Sequence, residues 1–270
     1  ALGDVADGMV RGQEVRDKTS CTGSGTAGFY SGLNPVIDAA KDVEYSCLLV
    51  DPAPKSLRFS DIGTRSSVIP LISESGDPFS TLTLKWQAKG TASDPTTGCP
   101  TTAANVFTPA PSWSCGYGVM RFDLVPTAGN GLSVDSLQNS TMTAFGVPLR
   151  SGGTNSVAFA AGTATSNRIG VACTASDCTL TITGLSANNY HLRISSLYKG
   201  ASLQVSGTSP SGGQLRIAGA QAVIDATGKA RDVLRRIQVN VPYRSTTENL
   251  LSDYAIETQG SICKRYSIMN

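Results

Sequence analysis

The chain has 270 residues, a formal net charge of +2, only 16% charged residues and 28 glycines. That length buries a sizeable core, as one large β domain or two smaller ones. The near-neutral balance supplies no global field toward nucleic acid or a membrane surface. No apolar run approaches the roughly 18 residues of a spanning helix, and no signal-peptide pattern is visible. The chain opens on Ala1 rather than Met, so a segment upstream, such as a membrane helix, is expected.

Residues 1–18 predict a short charged helix. Leu2, Val5, Ala6 and Met9 recur at spacings of three and four on one stripe. Asp7 with Arg11, and Glu14 with Lys18, stand at i,i+4 on the outer surface. Gly3, Gly8 and Gly12 interrupt it, so alone it is marginal. It packs on the β domain or continues a longer helix upstream, where Leu2, Val5, Ala6 and Met9 are its packing residues.

A flexible connection, CTGSGTAGFYSGLNP, ends at Asn34-Pro35, and a short helical piece is expected over Val36 to Lys41. Strands are predicted at Glu44–Val50, Ser66–Ser73 and Phe79–Ala88. Pro70 demotes the second to an edge position or a bulge. In the third, Leu82, Leu84 and Trp86 alternate with Thr83, Lys85 and Gln87, the mark of one buried face. Residues 89–116 break the pattern as a long Gly/Pro/Ser/Thr loop that Cys99 and Cys115 would close. It is the best candidate for a partner-facing surface. Tyr117–Pro126 is the returning strand.

A softer boundary lies near Leu149. Beyond it short strands follow at Ser156–Ala160, Arg168–Cys173, Thr179–Thr183, Tyr190–Tyr198, Ala201–Ser206, Gln214–Asp225 and Val233–Val241, spacing that suits a sandwich. Cys173 and Cys178 staple a hairpin end. Val233, Ile237, Val239 and Val241 share one face. Tyr254–Thr258 and Ser261–Ile268 close the chain. The expected fold is mainly β: a short N-terminal α-helix (1–20), then an antiparallel sandwich head, divisible into modules at 21–148 and 149–270.

Seven cysteines argue for disulfides in an oxidising, extracytoplasmic compartment. Zinc is disfavoured because there is no CxxC and the only histidine is His191. The expected pairs are Cys99–Cys115 and Cys173–Cys178. Cys21 pairs with Cys47, or Cys263 takes either of those two and leaves the other free.

The motif matches weigh toward ordinary structure. Gly23-Ser-Gly25-Thr-Ala-Gly28 follows a helix and precedes a loop, the wrong setting for a dinucleotide site, so it reads as a hinge. Ser196-Leu-Tyr-Lys199 and Ser261-Ile-Cys-Lys264 match SxxK without a companion Lys-Thr-Gly. His191 alternates with Tyr190 and Leu192, so it points to the polar side with Arg193, and nothing else supports a triad. Lys229, Arg231, Arg235, Arg236 and Arg244 form the densest basic stretch, diluted by Asp225 and Asp232. A solvated strand face explains it better than phosphate binding, and nucleic acid is not an expected partner. No spacing singles out a glycosidase pair among the 20 carboxylates. Asn139-Ser-Thr141 is a glycosylation sequon, relevant only in a eukaryotic secretory route. No catalytic residue, metal or cofactor is expected.

Three blocks carry a resemblance: Val43-Glu-Tyr-Ser-Cys-Leu-Leu-Val-Asp-Pro52, the run from Ala220 to Val239, and Ser261-Ile-Cys-Lys-Arg265. With Gly32-Leu-Asn-Pro35 they resemble type IV pilin-like minor pilins of the Saccharibacteria and related Patescibacteria. Ala1–Gly8 is similar to the stretch after the membrane helix in PilX-type minor pilins. The resemblance implies the ectodomain of a membrane-anchored, cell-surface pilus subunit without chemistry of its own. Its apolar helix and prepilin cleavage site would lie before Ala1. Its expected roles are pilus assembly, tip decoration, adhesion and twitching. Its expected partners are other pilin subunits, through the N-terminal helix, and a host-cell or surface ligand. A free-standing adhesin or lectin is the alternative reading, and a secreted polysaccharide hydrolase a more remote one.

Overall fold

A computed structural model of the chain describes residues 36–38, 43–90, 94–103, 109–127, 139–162, 168–230 and 233–243. The expected N-terminal helix with Leu2, Val5, Ala6 and Met9 lies outside them, as do Cys21, Cys263, Arg231, Arg244 and the two last strands. The described chain is mainly β, in three sheets.

The first sheet is four-stranded, in the order β1 (Val36–Asp38), β2 (Val43–Asp51), β14 (Gln221–Ala230), β15 (Val233–Pro242). All its pairings are antiparallel. The short helix expected from Val36 is therefore a strand where it is described. Val36 and Ile37 are β-branched, and β-branched residues favour the pleated conformation when a neighbouring strand is at hand.

The described strands between Asp51 and Gln221 form two sheets packed on one core, a sandwich. One sheet runs β3 (Ser56–Ile62), β12 (Ala201–Thr208), β5 (Thr81–Ala88), β10 (Cys178–Thr183), β8 (Ser156–Ala158). The other runs β13 (Ile217–Ala218), β4 (Ser67–Ser73), β11 (Asn189–Leu197), β6 (Val119–Pro126), β7 (Met142–Leu149), β9 (Arg168–Ala172). Pairing is antiparallel except at two margins, where β8 joins β10 and β9 joins β7 in parallel. Both sheets draw strands from either side of Leu149, so the expected division at 148/149 does not separate two closed units. The division that the topology makes is nested. A sandwich is inserted between β2 and β14 of the four-stranded sheet.

The alternation read in the sequence orients these strands. Leu82, Leu84 and Trp86 of β5 are all fully buried and face Phe122, Leu192 and Ile194 in one core. Gly146 of β7 lets the facing sheet approach, because a Cβ there would stand 3.2 Å from the Trp86 ring. Phe79 and Tyr190 close the core edge-on, with ring centroids 5.9 Å apart. Pro70 pairs with His191 on one side of β4, while β13 reaches only Ile72 and Ser73 on the other, so its missing N–H faces no ladder. The run expected as one strand over Gln214–Asp225 breaks at Gly219, whose φ of +82° turns the chain out of one sheet and into another.

Both expected hairpin and loop disulfides are present, Cys99–Cys115 and Cys173–Cys178. The described parts of the 89–116 loop do more than face solvent. Trp113, Cys115 and neighbouring Tyr117 are buried and cap one end of the core. The Trp113 indole donates to the Tyr117 carbonyl at 2.9 Å and stacks on Tyr198 at 4.6 Å.

Candidate functional site

Where sandwich meets four-stranded sheet, the chain builds a polar joint and, beside it, a groove. The joint starts with Gln221, the first residue of β14. Its carboxamide accepts the Arg58 N–H at 2.9 Å and donates to the Arg58 carbonyl at 2.7 Å. It thus takes the place of a strand partner along β3, and it is buried. Arg216 reaches Glu74 at 2.7 Å and also holds Asp51, the last residue of β2. The Tyr243 hydroxyl donates to the Pro52 carbonyl at 3.3 Å, and burial, then the Asp51 charge, push that phenol above its usual range.

The groove encloses about 630 Å³ and lies between the outer face of the five-stranded sheet and β15. Arg58, Ser60, Lys85, Gln87, Ser202 and Gln204 line one wall, and Gln238, Val239 and Asn240 the other. The register explains the first wall. Gln204 stands opposite both Arg58 and Lys85, and Ser202 opposite Gln87, so one row of outward positions is polar on three strands. The row continues as a hydroxyl ladder, Thr83 to Thr181 at 3.1 Å and Thr81 to Thr208 at 2.7 Å. Lys85 is held by Asp177 at 3.0 Å. Arg58 has no ion pair among the described residues, so its guanidinium is the groove's available cation. This surface offers amide and hydroxyl donors and acceptors with one free positive charge, a set suited to a hydroxyl-rich or acidic ligand. A smaller pocket of about 330 Å³ lies by the disulfides, between Lys89, Pro95, Tyr117 and Lys199. Burial pushes the Tyr117 phenol up to about 12, with Asp177 and Asp94 adding to it.

Three residues of the basic stretch read from the sequence stand on one hairpin, where Lys229 pairs with Leu234 and Arg235 with Gly228. Lys229 lies in β14, Arg235 and Arg236 in β15. Arg236 binds Asp225 through two nitrogens, which raises its affinity for the proton and removes it as a free cation. Cys47 lies in β2, and the alternatives among Cys21, Cys47 and Cys263 lie outside the described side chains. In the Ser196–Lys199 match, the Ser196 hydroxyl donates to the Lys199 carbonyl at 2.7 Å and holds the turn between β11 and β12. Among the described residues no three His, Cys, Asp or Glu gather as metal ligands. The groove escaped the sequence reading because its residues come from β3, β5, β12 and β15. The one available signal was the polar half of the alternation in β5 and β12.

His191 sits on the outer face of the six-stranded sheet, as its alternation with Leu192 predicts. Its cross-strand neighbours are Pro70 and Val125, and its buried Nδ1 has no partner among the described residues. Burial lowers its pKa below 6.5. As pH falls, the unfolded chain binds the proton first, so this contribution to stability is complete above about 6.5 and is lost as the pH drops further. His191 is the only histidine, so the effect is isolated by one substitution. His191→Gln should flatten the stability difference between about pH 7 and pH 5 relative to the parent, read from urea midpoints. An unchanged slope would remove this assignment.

Comparison of the chain with known protein families, with characterised proteins and with solved structures gives no match.

Proposed function

We propose that the chain is a non-enzymatic, extracytoplasmic subunit of a surface filament of the type IV pilus kind. Its four-stranded sheet is the filament-side element, and its inserted sandwich presents the polar groove for adhesion. One observation carries the reading. Val43–Pro52 and Ala220–Val239, the two long blocks of the pilin resemblance, are neighbours in space as β2, β14 and β15, although the whole sandwich separates them in sequence. These two blocks therefore share one structural unit, from which the sandwich is inserted, while the shorter blocks at 32–35 and 261–265 lie outside the described residues. The two disulfides support an oxidising compartment. The groove by itself favours the second reading, a free-standing adhesin. One experiment separates them. The complete gene, with its upstream sequence, is expressed in cells that make type IV pili, and filaments are sheared off and purified. A filament subunit co-purifies with them. A free-standing adhesin stays with the cell envelope or the medium, and that result would reject the proposal.

A further inference from the structure

Among the described residues only β14 pairs with β15, so one edge of this 10-residue strand carries no described partner. Val233, Ile237 and Val239 on it are 52%, 61% and 38% exposed. Long regular edges with branched apolar residues are templates for another strand. The backbone parity of this edge follows from its hairpin. Ala230 pairs with Val233, so only two residues join β14 to β15. In a two-residue hairpin the residues flanking the turn form a hydrogen-bonded pair, and such pairs alternate along the ladder. Val233, Arg235, Ile237, Val239 and Val241 therefore turn their N–H and C=O toward β14. Leu234, Arg236, Gln238 and Asn240 turn theirs to the open edge.

We propose that two copies of the chain associate by antiparallel pairing of β15 with β15, about a two-fold axis at Ile237. Parity allows only registers in which outward groups meet outward groups. Registers centred on Arg235 or Arg236 set an arginine against its own copy, and like charges directly opposite are unfavourable. The register centred on Gln238 sets Leu234 against Pro242, which has no N–H to donate. Centring on Ile237 avoids both faults. Val233 then meets Val241, Arg235 meets Val239, Arg236 meets Gln238, and residues 233–241 all overlap. Pairing of a strand edge with the same edge of a second copy is isologous and leaves no complementary edge to extend a chain. The pairing therefore closes as a two-fold dimer. It does not depend on the filament reading.

Disulfide trapping in the purified chain tests the register. Val233 and Val241 of facing copies form a non-hydrogen-bonded pair, where Cα atoms stand about 4.5 Å apart, within disulfide range. Val233→Cys mixed with Val241→Cys should yield about tenfold more covalent dimer under mild oxidation than either variant alone or the parent, which sets the background of the native cysteines. Ile237→Cys should cross-link by itself, and Val233→Cys mixed with Val239→Cys should not exceed background. In sedimentation equilibrium the parent should dimerise, and Ile237→Lys should raise the dissociation constant about tenfold or more. A monomeric parent, or equal cross-linking in matched and mismatched mixtures, overturns the proposal. Capping of β15 by residues 244–270 of the same chain, or by a different protein, would give that monomer.

Discussion

Trp86→Ala is expected to lower the unfolding free energy by about 3–5 kcal/mol, the largest single-site loss in the sandwich. Trp86 is fully buried, lies between Leu203 and Cys178 on neighbouring strands, and touches Gly146 of the facing sheet. Truncation removes its burial and leaves a cavity between two sheets whose strands are tied on both sides, so little collapse is available to refill it. The indole N–H is buried without a partner among the described side chains. Trp86→Phe should therefore cost much less than Trp86→Ala. It keeps most of the ring volume and removes an unpaired donor. Urea unfolding of both variants measures the two losses. Equal losses would mean that ring volume does not govern this site.

The second large effect is electrostatic. Asp123 is 2% exposed on the outer face of the six-stranded sheet. Arg193, directly opposite on β11, holds it at 2.6 Å, and Arg121 stands farther off at 3.5 Å. A buried carboxylate stripped of its partner is costly, because solvent cannot replace the lost cation. Arg193→Met should cost about 3 kcal/mol at neutral pH, somewhat softened by Arg121. Asp123→Asn in the same background should restore part of it, since the uncompensated charge is then gone. A double variant no more stable than Arg193→Met would show that the arginine acts through packing alone.

Local pattern was legible in the sequence wherever one face of a strand is apolar and the other polar. Leu82, Leu84 and Trp86 mark β5 in that way, and Tyr190, Leu192 and Ile194 mark β11. Strand β3 escaped because Arg58, Ser60 and Asp61 crowd it and its register with β12 shifts between Ala201 and Leu203, which breaks the period of two. Strand β7 escaped because Val147 and Leu149 are buried on the face where alternation would put polar residues. The two hairpin and loop disulfides were legible because each closes a short sequence interval, with separations of 16 and 5. The nested insertion was not, because the pairing of β2 with β14 is long-range and no local signal announces it. The groove was hidden for the same reason, as its walls come from four strands that only the topology brings together.

The proposed role makes the groove the adhesive face of a filament subunit. The most direct measurement is adhesion by cells carrying Arg58→Glu together with Gln87→Glu, scored beside the amount of the chain in sheared filaments. Both residues line the groove, Gln87 is exposed, and Arg58 keeps its main-chain bonds to Gln221, so the fold should tolerate the change. The expected result is parental incorporation into filaments with adhesion reduced about tenfold or more, the scale of losing a charge-assisted contact in a binding site. Parental adhesion at parental incorporation would contradict it.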